Sequence, residues 1–433
     1  MKPITIPSEV LKTLFALEKE GFPAYIVGGS LRDALLGNQP HDWDVTTPAL
    51  PDQMLQIFTS AGYTTIPTGV AHGTVTVLID HTPVECTTYR IDGDYTDARH
   101  PDKVQFTDRI ADDLARRDFT VNAMACRLPY IAKWDETNPA FESGLTVPVD
   151  ELEIVDLYGG RQDLATGVIR CVGDPATRLR EDALRILRGV RFCVQLGFTP
   201  DAATKEALYQ CREGLSRISA ERIASELTRT LSCDDSCADG LCLMSQTGLW
   251  KYVLPEAENS NISKYFETRK ELFEAVDRLP CDAVMRLALL LCGTDANGAG
   301  AACHRLKLSH KMTDAIVAYV DAIDRPCPAT DTGARRYMAD LGGYTEGALM
   351  VAAACHSKQK TDYEAAHERC DMIRARGDCL SIADLAVNGK MLMDELGLRG
   401  REIGLVLERL LDAVLEEPSL NEKTTLLRLA SKK

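Results

Sequence analysis

Two aspartates stand one residue apart in His41-Asp42-Trp43-Asp44, nine residues after Gly28-Gly29-Ser30-Leu31-Arg32-Asp33. In an extended chain, positions i and i+2 share a face, so Asp42 and Asp44 are expected to aim two carboxylates at one point. Paired carboxylate oxygens suit a hard divalent cation such as Mg²⁺. Upstream, the glycine pair joins a strand-like run, Ala24-Tyr25-Ile26-Val27, to a helix-like run from Leu31 to Leu36. Backbone N–H groups at such a junction favour phosphate. A chain that sets a cation site this close to a phosphate cradle is confined to a strand–turn–helix–strand frame. The pairing points to nucleotide chemistry.

The rest of the chain is large enough to build that frame and more. Its 433 residues allow two to four domains, and a hydrophobic fraction of 45% is ordinary for a globular protein. No secretory leader is read, and no apolar run approaches the length of a membrane span, so a cytoplasmic protein with no membrane contact is expected. The short runs Leu287–Cys292 and Gly347–Cys355 read as buried helix. The 15 cysteines are scattered, which fits a reduced setting better than a disulfide framework. Cys233, Cys237, Cys242, Cys292, Cys303 and His304 have zinc-ligand chemistry but lack paired C-x₂-C spacing, so they read as buried thiols. The formal net charge of −15 argues against indiscriminate nucleic-acid binding. Between Arg161 and Arg229, however, 12 basic residues outnumber 9 acidic ones. A nucleic-acid partner that meets this stretch is compatible with the acidic remainder.

Strand signals concentrate early, at Tyr25–Val27, Trp43–Thr46, Thr74–Ile79, Val84–Thr88 and Val104–Phe106, with helical patterns between them at Leu11–Glu20, Leu31–Leu36, Gln53–Ala61 and Ile110–Leu114. This reads as an α+β unit with a mixed sheet, ending near Leu164. From Ala176 onward nearly everything reads helical. The expected divisions are 1–164, 165–230, 231–380 and 381–433. Leu128–Leu152 is irregular and reads as a surface insertion. Thr88–Arg109 is polar and reads as a mobile loop of the kind that closes over substrates.

Further residues extend the chemistry. Glu85, in the strand-like Pro83–Thr88, is a candidate third carboxylate for a two-metal site. Arg116-Arg117-Asp118-Phe119-Thr120-Val121-Asn122-Ala123-Met124-Ala125 sets paired arginines before an apolar helix start. Arg117 is expected on a triphosphate or sugar, through forked N–H groups, and Asn122 on a sugar or backbone atom. The segment Arg180–Phe192 reads as one strong helix in which Asp182, Arg185, Arg188 and Arg191 recur every third residue, making Asp182 and Arg185 neighbours. The plain reading is a surface salt bridge. The sharper one is base selection. Cytosine and adenine present an amino donor beside a ring-nitrogen acceptor; uracil and guanine present the reverse. An Asp acceptor beside an Arg donor takes C and A and mismatches U and G. Arg188 and Arg191 then hold phosphate or complete the pocket.

The ordered set of strand, Gly-Gly, helix and Asp-x-Asp resembles the nucleotidyltransferase superfamily that includes DNA polymerase beta. Gly28–Asp33, Asp42–Asp44, Arg116–Ala125, Asp156–Gly160 with Asp163-Leu164, Glu181–Arg191, and Ile218–Ile223 with Glu226-Leu227 together resemble the second class of the tRNA nucleotidyltransferase (CCA-adding enzyme) and poly(A) polymerase family. Val387–Lys390 and Ile403 to Asn421 look, more loosely, like a bacterial-type helical tail. The resemblance implies a head followed by helical neck, body and tail. It implies untemplated addition of C, C and A to the 3′ end of tRNA, with CTP, ATP and Mg²⁺. Gly28, Gly29, Arg32, Arg117, Asn122, Asp182, Arg185, Arg188 and Arg191 are expected at nucleotide-binding positions, Asp42 and Asp44 as metal ligands, and Glu85 as the third acid. No protein partner is expected. The helical half lacks a His-Asp dipeptide, so the phosphohydrolase found in some relatives is not expected.

Competing readings share the head. A bacterial poly(A) polymerase differs in product, but the Thr74–Glu85 stretch lacks the arginine-rich strand expected of that branch. An enzyme adding only part of the CCA end is a second competitor; the intact Thr88–Pro101 loop, linked in this family to the switch from C to A, speaks against a CC-only enzyme. A non-catalytic RNA-binding protein of the same fold is the third, and the presence of both Asp42 and Asp44 argues against it.

Overall fold

Alternation builds the central sheet. Thr74–Ile79 turns Val75, Val77 and Ile79 inward and its threonines outward. The computed structural model describes residues 3–431 except His41, 93–103, Glu136 and Asp235, and leaves out the side chains of Thr68 and Asp92. The middle of the expected closing loop, 93–103, therefore lies outside the described residues.

In chain order the first unit contains β1 (Ile4–Ile6), α1 (Ser8–Lys19), β2 (Tyr25–Val27), α2 (Gly28–Leu36), β3 (Asp44–Thr47), α3 (Pro51–Ser60), β4 (Thr64–Gly69), β5 (Thr74–Ile79), β6 (Thr82–Thr88), β7 (Arg90–Asp92), β8 (Val104–Phe106), α4 (Ile110–Ala115), β9 (Met124–Arg127), α5 (Ala140–Ser143), β10 (Leu145–Val147) and β11 (Glu153–Asp156). Seven of these strands form one mixed sheet in the order β11-β9-β2-β3-β6-β5-β4. Only β3 and β6 run parallel, with Asp44 opposite Glu85; β2 sets Val27 opposite Asp44. The sheet thus brings the end of β2, the start of β3 and the middle of β6 to one point. β7 and β8 pair separately.

After the sheet come α6 (Gly160–Thr166), α7 (Pro175–Glu181), α8 (Leu184–Leu196), α9 (Ala202–Gln210) and α10 (Ala220–Leu231). The chain divides into two compact units, Met1–Thr230 with Leu243–Val253, and Leu231–Cys242 with Leu254–Lys433. Within the second, Ala283–Leu290 and Thr345–Cys355 are almost wholly buried helices, as the short apolar runs predict. Its helices start on side-chain caps from Asp282, Ser309, Thr330 and Asn388. Arg286 is buried there, and its two terminal nitrogens donate to the carbonyls of Leu231, Cys233 and Leu279. All fifteen cysteines are free thiols.

Three expectations need correction. The apolar run after Asn122 is not a helix start: Thr120–Asn122 is a single 3₁₀ turn, and Met124–Arg127 pairs with β2 and β11. Residues 128–152 are not simply a surface insertion. Ile131, Phe141, Val147 and Val149 are buried, the Phe141 ring lies tilted with its centre 5.0 Å from that of Phe15 of α1, and β10 pairs with β1. Finally, 180–192 is not one helix. α7 stops at Glu181, Asp182 is extended (φ −137°, ψ 105°), and α8 starts at Leu184.

Candidate active site

Gly28 makes the site possible. Val27 leaves β2 extended, and Gly28 enters α2 at φ +72°, a left-handed conformation that side chains disfavour. A Cβ there would sit 3.0 Å from Arg117 Nη1 and 3.5 Å from Asp44 Oδ2. No side chain caps the N-terminus of α2, so the first N–H groups of Gly28, Gly29 and Ser30 have no capping partner. Helix start, carboxylate and guanidinium converge on one backbone position.

The carboxylates come from neighbouring parts of the sheet, but Asp42 and Asp44 do not share a strand face. Asp44 opens β3, whereas Asp42 lies in the bend before it rather than in the strand. Asp42 and Glu85 are exposed and Asp44 is half-buried. Burial and the neighbouring Glu85 carboxylate push the Asp44 carboxyl up to about 6, with Arg117 opposing them and Asp42 adding to the rise. Among the described residues, no hydrogen bond or ion pair engages the side chain of Asp42, Asp44 or Glu85. Unpaired acids this close are a hard-oxygen donor set in need of positive charge, and they fit Mg²⁺ by chemistry. No group of three or more His, Cys, Asp or Glu among the described residues is gathered tightly enough to cage a metal. Mg²⁺ commonly rests on one or two carboxylates plus substrate phosphate, so a loose protein set suits it.

A cavity of about 680 Å³ opens beside these groups, lined by Gly28, Gly29, Arg32, Asp44, Arg117, Asn122, Asp182, Arg185, Arg188 and Arg191. Ten of the twelve sequence-expected residues therefore share one cleft; Asp42 and Glu85 stand outside its lining. Arg117 is held by buried Asp113 at 3.2 Å, and its Nε is buried without a partner. Asp113 also grips Arg116 at 2.7 Å. Burial opposes ionisation of Asp113, but the two guanidiniums win and lower its pKa.

Asp118 organises the floor. It accepts from Arg188 Nε at 2.8 Å and Nη2 at 2.6 Å, and from Asn122 Nδ2 at 3.1 Å. Asn122 Oδ1 in turn accepts from Arg32 at 2.7 Å, and Arg32 is forked onto Asp33. Burial works against the Asp118 carboxylate, but Arg188 and Asn122 outweigh it and hold the group well below the usual carboxylate range. Phe192 stands among three guanidiniums, with Arg191, Arg32 and Arg188 at 4.3, 5.1 and 5.2 Å from its ring centre. Arg191 is paired with Glu226 at 2.7 Å.

The expected Asp182–Arg185 pair does not form, because the helix breaks between them. Asp182 Oδ1 accepts from the Leu184 N–H, and Oδ2 from Arg222 Nη2 of α10, each at 3.0 Å. Arg185 instead donates to Glu181 at 2.6 Å and to the carbonyls of Arg178 and Arg116. Sequence reasoning did not single out Asp118, Phe192, Gln195, Arg222, His72 or Arg90, which also line the cavity. Asp118 carried a signal, as an acid directly after two arginines. Arg222 lay in a recognised segment, Ile218–Ile223, without a chemical role. Arg90 lay in the recognised Thr88–Pro101 loop without a role of its own, and His72 and Gln195 carried no signal.

Comparison with known proteins gives the family. Residues 24–170 match the Poly A polymerase head domain, 197–260 the "Probable RNA and SrmB- binding site of polymerase A", and 283–430 tRNA nucleotidyltransferase domain 2. The CCA-adding enzyme of Geobacillus thermodenitrificans is 34% identical over 94% of this chain and 91% of its own. That of Ligilactobacillus salivarius is 32% identical over 99% and 97%. The crystal structure of the Bacillus stearothermophilus CCA-adding enzyme in complex with CTP superposes with a TM-score of 0.74 at 28% identity, covering 98% of this chain and 96% of that one. The Thermotoga maritima CCA-adding enzyme complexed with tRNA shares the fold, with a TM-score of 0.63 at 19% identity over 99% of both chains. No helix among the described residues is long and apolar enough to cross a membrane. With a nearly full-length likeness above 30% identity, and three family patterns in order along it, the chain belongs to the CCA-adding enzyme family.

Proposed function

We propose that this chain adds C, C and A to the 3′ end of tRNA from CTP and ATP, without a nucleic-acid template, and releases pyrophosphate. The observation that carries the reading is the convergence at Gly28: a free helix start, an unpaired aspartate and a guanidinium with an orphaned donor within one cleft. Residues 1–164 act as catalytic head, 165–230 as neck, 231–380 as body and 381–433 as tail.

In this reading the tRNA 3′-hydroxyl attacks the α-phosphorus of the bound nucleotide, and the bond to the pyrophosphate oxygen breaks. Asp42 and Asp44 hold Mg²⁺, with Glu85 as a third acid. The metal, when bound, eases deprotonation of the hydroxyl and neutralises charge on the leaving group. The α2 N–H groups from Gly28 and Gly29 donate to phosphate oxygens. Arg117, whose Nη1 is the side-chain atom nearest the Gly28 turn, adds its charge at the same place. Arg32, buried beside Asn122, adds positive potential, and Asn122 ties it to Asp118. Asp182 offers the acceptor that cytosine and adenine share a need for, with arginine donors around it. Arg185, Arg188 and Arg191 shape that wall.

The test is a tRNA ending at its discriminator base, offered each nucleotide singly and then CTP with ATP. Products longer by two with CTP and by three with both support the reading. A long tail from ATP alone would favour a poly(A) polymerase, and no extension in any mixture would refute transfer.

A further inference from the structure

Of the fifteen free thiols, Cys281 is the only one that is exposed. It stands in the short connection between the helices Arg269–Asp277 and Ala283–Leu290, within the second unit, and is not among the residues that line the cleft. Its sulfur is held in place. Buried Arg286 donates from Nη2 to Cys281 Sγ at 3.5 Å and from Nη1 to Cys237 Sγ at 3.9 Å. A single carbon separates those two nitrogens, so one guanidinium gathers two sulfurs from distant parts of the chain. Cys233 meets the same Nη1 through its carbonyl, at 3.0 Å.

The two thiols differ in the properties that govern their chemistry. Cys237 is wholly buried, and burial together with the Asp277 carboxylate pushes its thiol well above the usual range, so it keeps its proton. That proton has an acceptor in place. Cys237 Sγ donates to Asp277 Oδ1 at 3.2 Å, and the Cys237 N–H donates to the same oxygen at 2.8 Å. One sulfur is open to solvent, and the other is shielded beside a base. An accessible cysteine with a second thiol poised next to it is the arrangement of a reversible redox site.

We infer that Cys281 and Cys237 form a peroxide-responsive pair, in which Cys281 is the site of oxidation and Cys237 closes a disulfide on it. The oxidant is hydrogen peroxide. The Cys281 sulfur takes one peroxide oxygen, the O–O bond breaks, and the thiol proton leaves with the other oxygen as water, giving the sulfenic acid. Cys237 then passes its proton to Asp277, and its sulfur attacks that of Cys281. The S–O bond breaks, and the departing hydroxide takes the proton back from Asp277 as a second water. Two thiols are oxidised and one peroxide is reduced. Cys281 sits on a surface connection rather than in a helix, so closing the gap moves a few residues of loop. The bond ties the Leu231–Cys242 segment to the connection after Asp277, and a thiol reductant releases it.

The experiment treats the reduced full-length protein with hydrogen peroxide in slight excess, blocks the remaining thiols by alkylation and maps the peptides by mass spectrometry. Wild type, Cys237→Ser and Cys281→Ser are compared, each checked by thermal melting. Wild type is expected to give linked peptides carrying Cys237 and Cys281 as the main product, lost on adding dithiothreitol. Cys237→Ser is expected to leave Cys281 as a sulfenic acid that a dimedone probe captures at least about tenfold more than in wild type. Cys281→Ser is expected to leave Cys237 reduced. A merely exposed cysteine predicts sulfinic acid at Cys281 with Cys237 still open to alkylation after unfolding, or a Cys281 link between two copies seen on a non-reducing gel. Either result in wild type overturns the inference, as does a main link from Cys281 to Cys233 or an unmodified Cys281.

Discussion

Removing the Asp118 carboxylate tests how the cleft floor is held. Asp118 accepts two bonds from Arg188 and one from Asn122, and also receives the Phe119 N–H at 2.8 Å. Taking one partner from a buried ion pair typically costs about 3–5 kcal/mol. The Arg188 side chain is 33% exposed, so water recovers part of the stranded charge, and the lower end, about 3 kcal/mol, is expected for Asp118→Ala. Removing Arg188 as well takes away the stranded cation, so the double variant should regain roughly 1–3 kcal/mol against the sum of the singles. All three tryptophans, Trp43, Trp134 and Trp250, lie in the first unit, so fluorescence during urea unfolding reports that unit alone. The pH dependence has a definite sign. Because the folded pKa is depressed, the stabilisation is complete above the ordinary carboxylate range and is lost only as pH falls below it. The loss on Asp118→Ala should therefore be equal at pH 7.5 and pH 5. A coupling below about 0.5 kcal/mol, or a loss that halves at pH 5, would refute the argument.

Other perturbations address the chemistry. Asp42→Ala should lower transfer by at least about a thousandfold with an unaltered circular dichroism spectrum, and near-full activity would remove the metal assignment. Gly28→Ala forces a side chain to φ +72° and against Arg117 Nη1, so the KM for nucleotide should rise about tenfold in initial-rate assays; an unchanged KM would mean the turn is not a phosphate cradle. Asp44, raised to about 6, carries a proton in the metal-free fold that the unfolded chain has released between pH 4 and 6. Stability of the metal-free protein should then decline as pH climbs through that window, seen as a falling melting temperature. Mg²⁺ must displace the same proton, so its apparent affinity in calorimetry should weaken about tenfold per pH unit below 6.

The sequence was legible where structure is local. Thr74–Ile79 alternates cleanly, and its bounds are those of β5. The Gly28–Asp44 frame carries its own signals, strand, glycine turn and acidic pair, and the fold reproduces them. It was illegible where distant residues decide. Ala123-Met124-Ala125-Cys126 has helical propensity, yet pairing with β2 and β11 makes it a strand. Asp182-Ala183 contains no glycine or proline to announce a break. The break is fixed instead by Arg222, forty positions away, and by the Leu184 N–H. The irregular pattern of 128–152 suggested a surface insertion, but Pro139 and Pro148 start short helical turns whose neighbours bury against α1. Asp118 and Arg222 gain meaning only from partners on other elements, which no spacing along the chain encodes.

The most direct measurement is a titration of Mn²⁺, standing in for Mg²⁺, followed by electron paramagnetic resonance in the presence of CTP. Wild type and Asp44→Asn are compared. If Asp42 and Asp44 hold the cation beside the Gly28 turn, the bound signal appears in wild type, and its affinity drops at least about tenfold in the variant. Equal binding in both proteins would contradict the account.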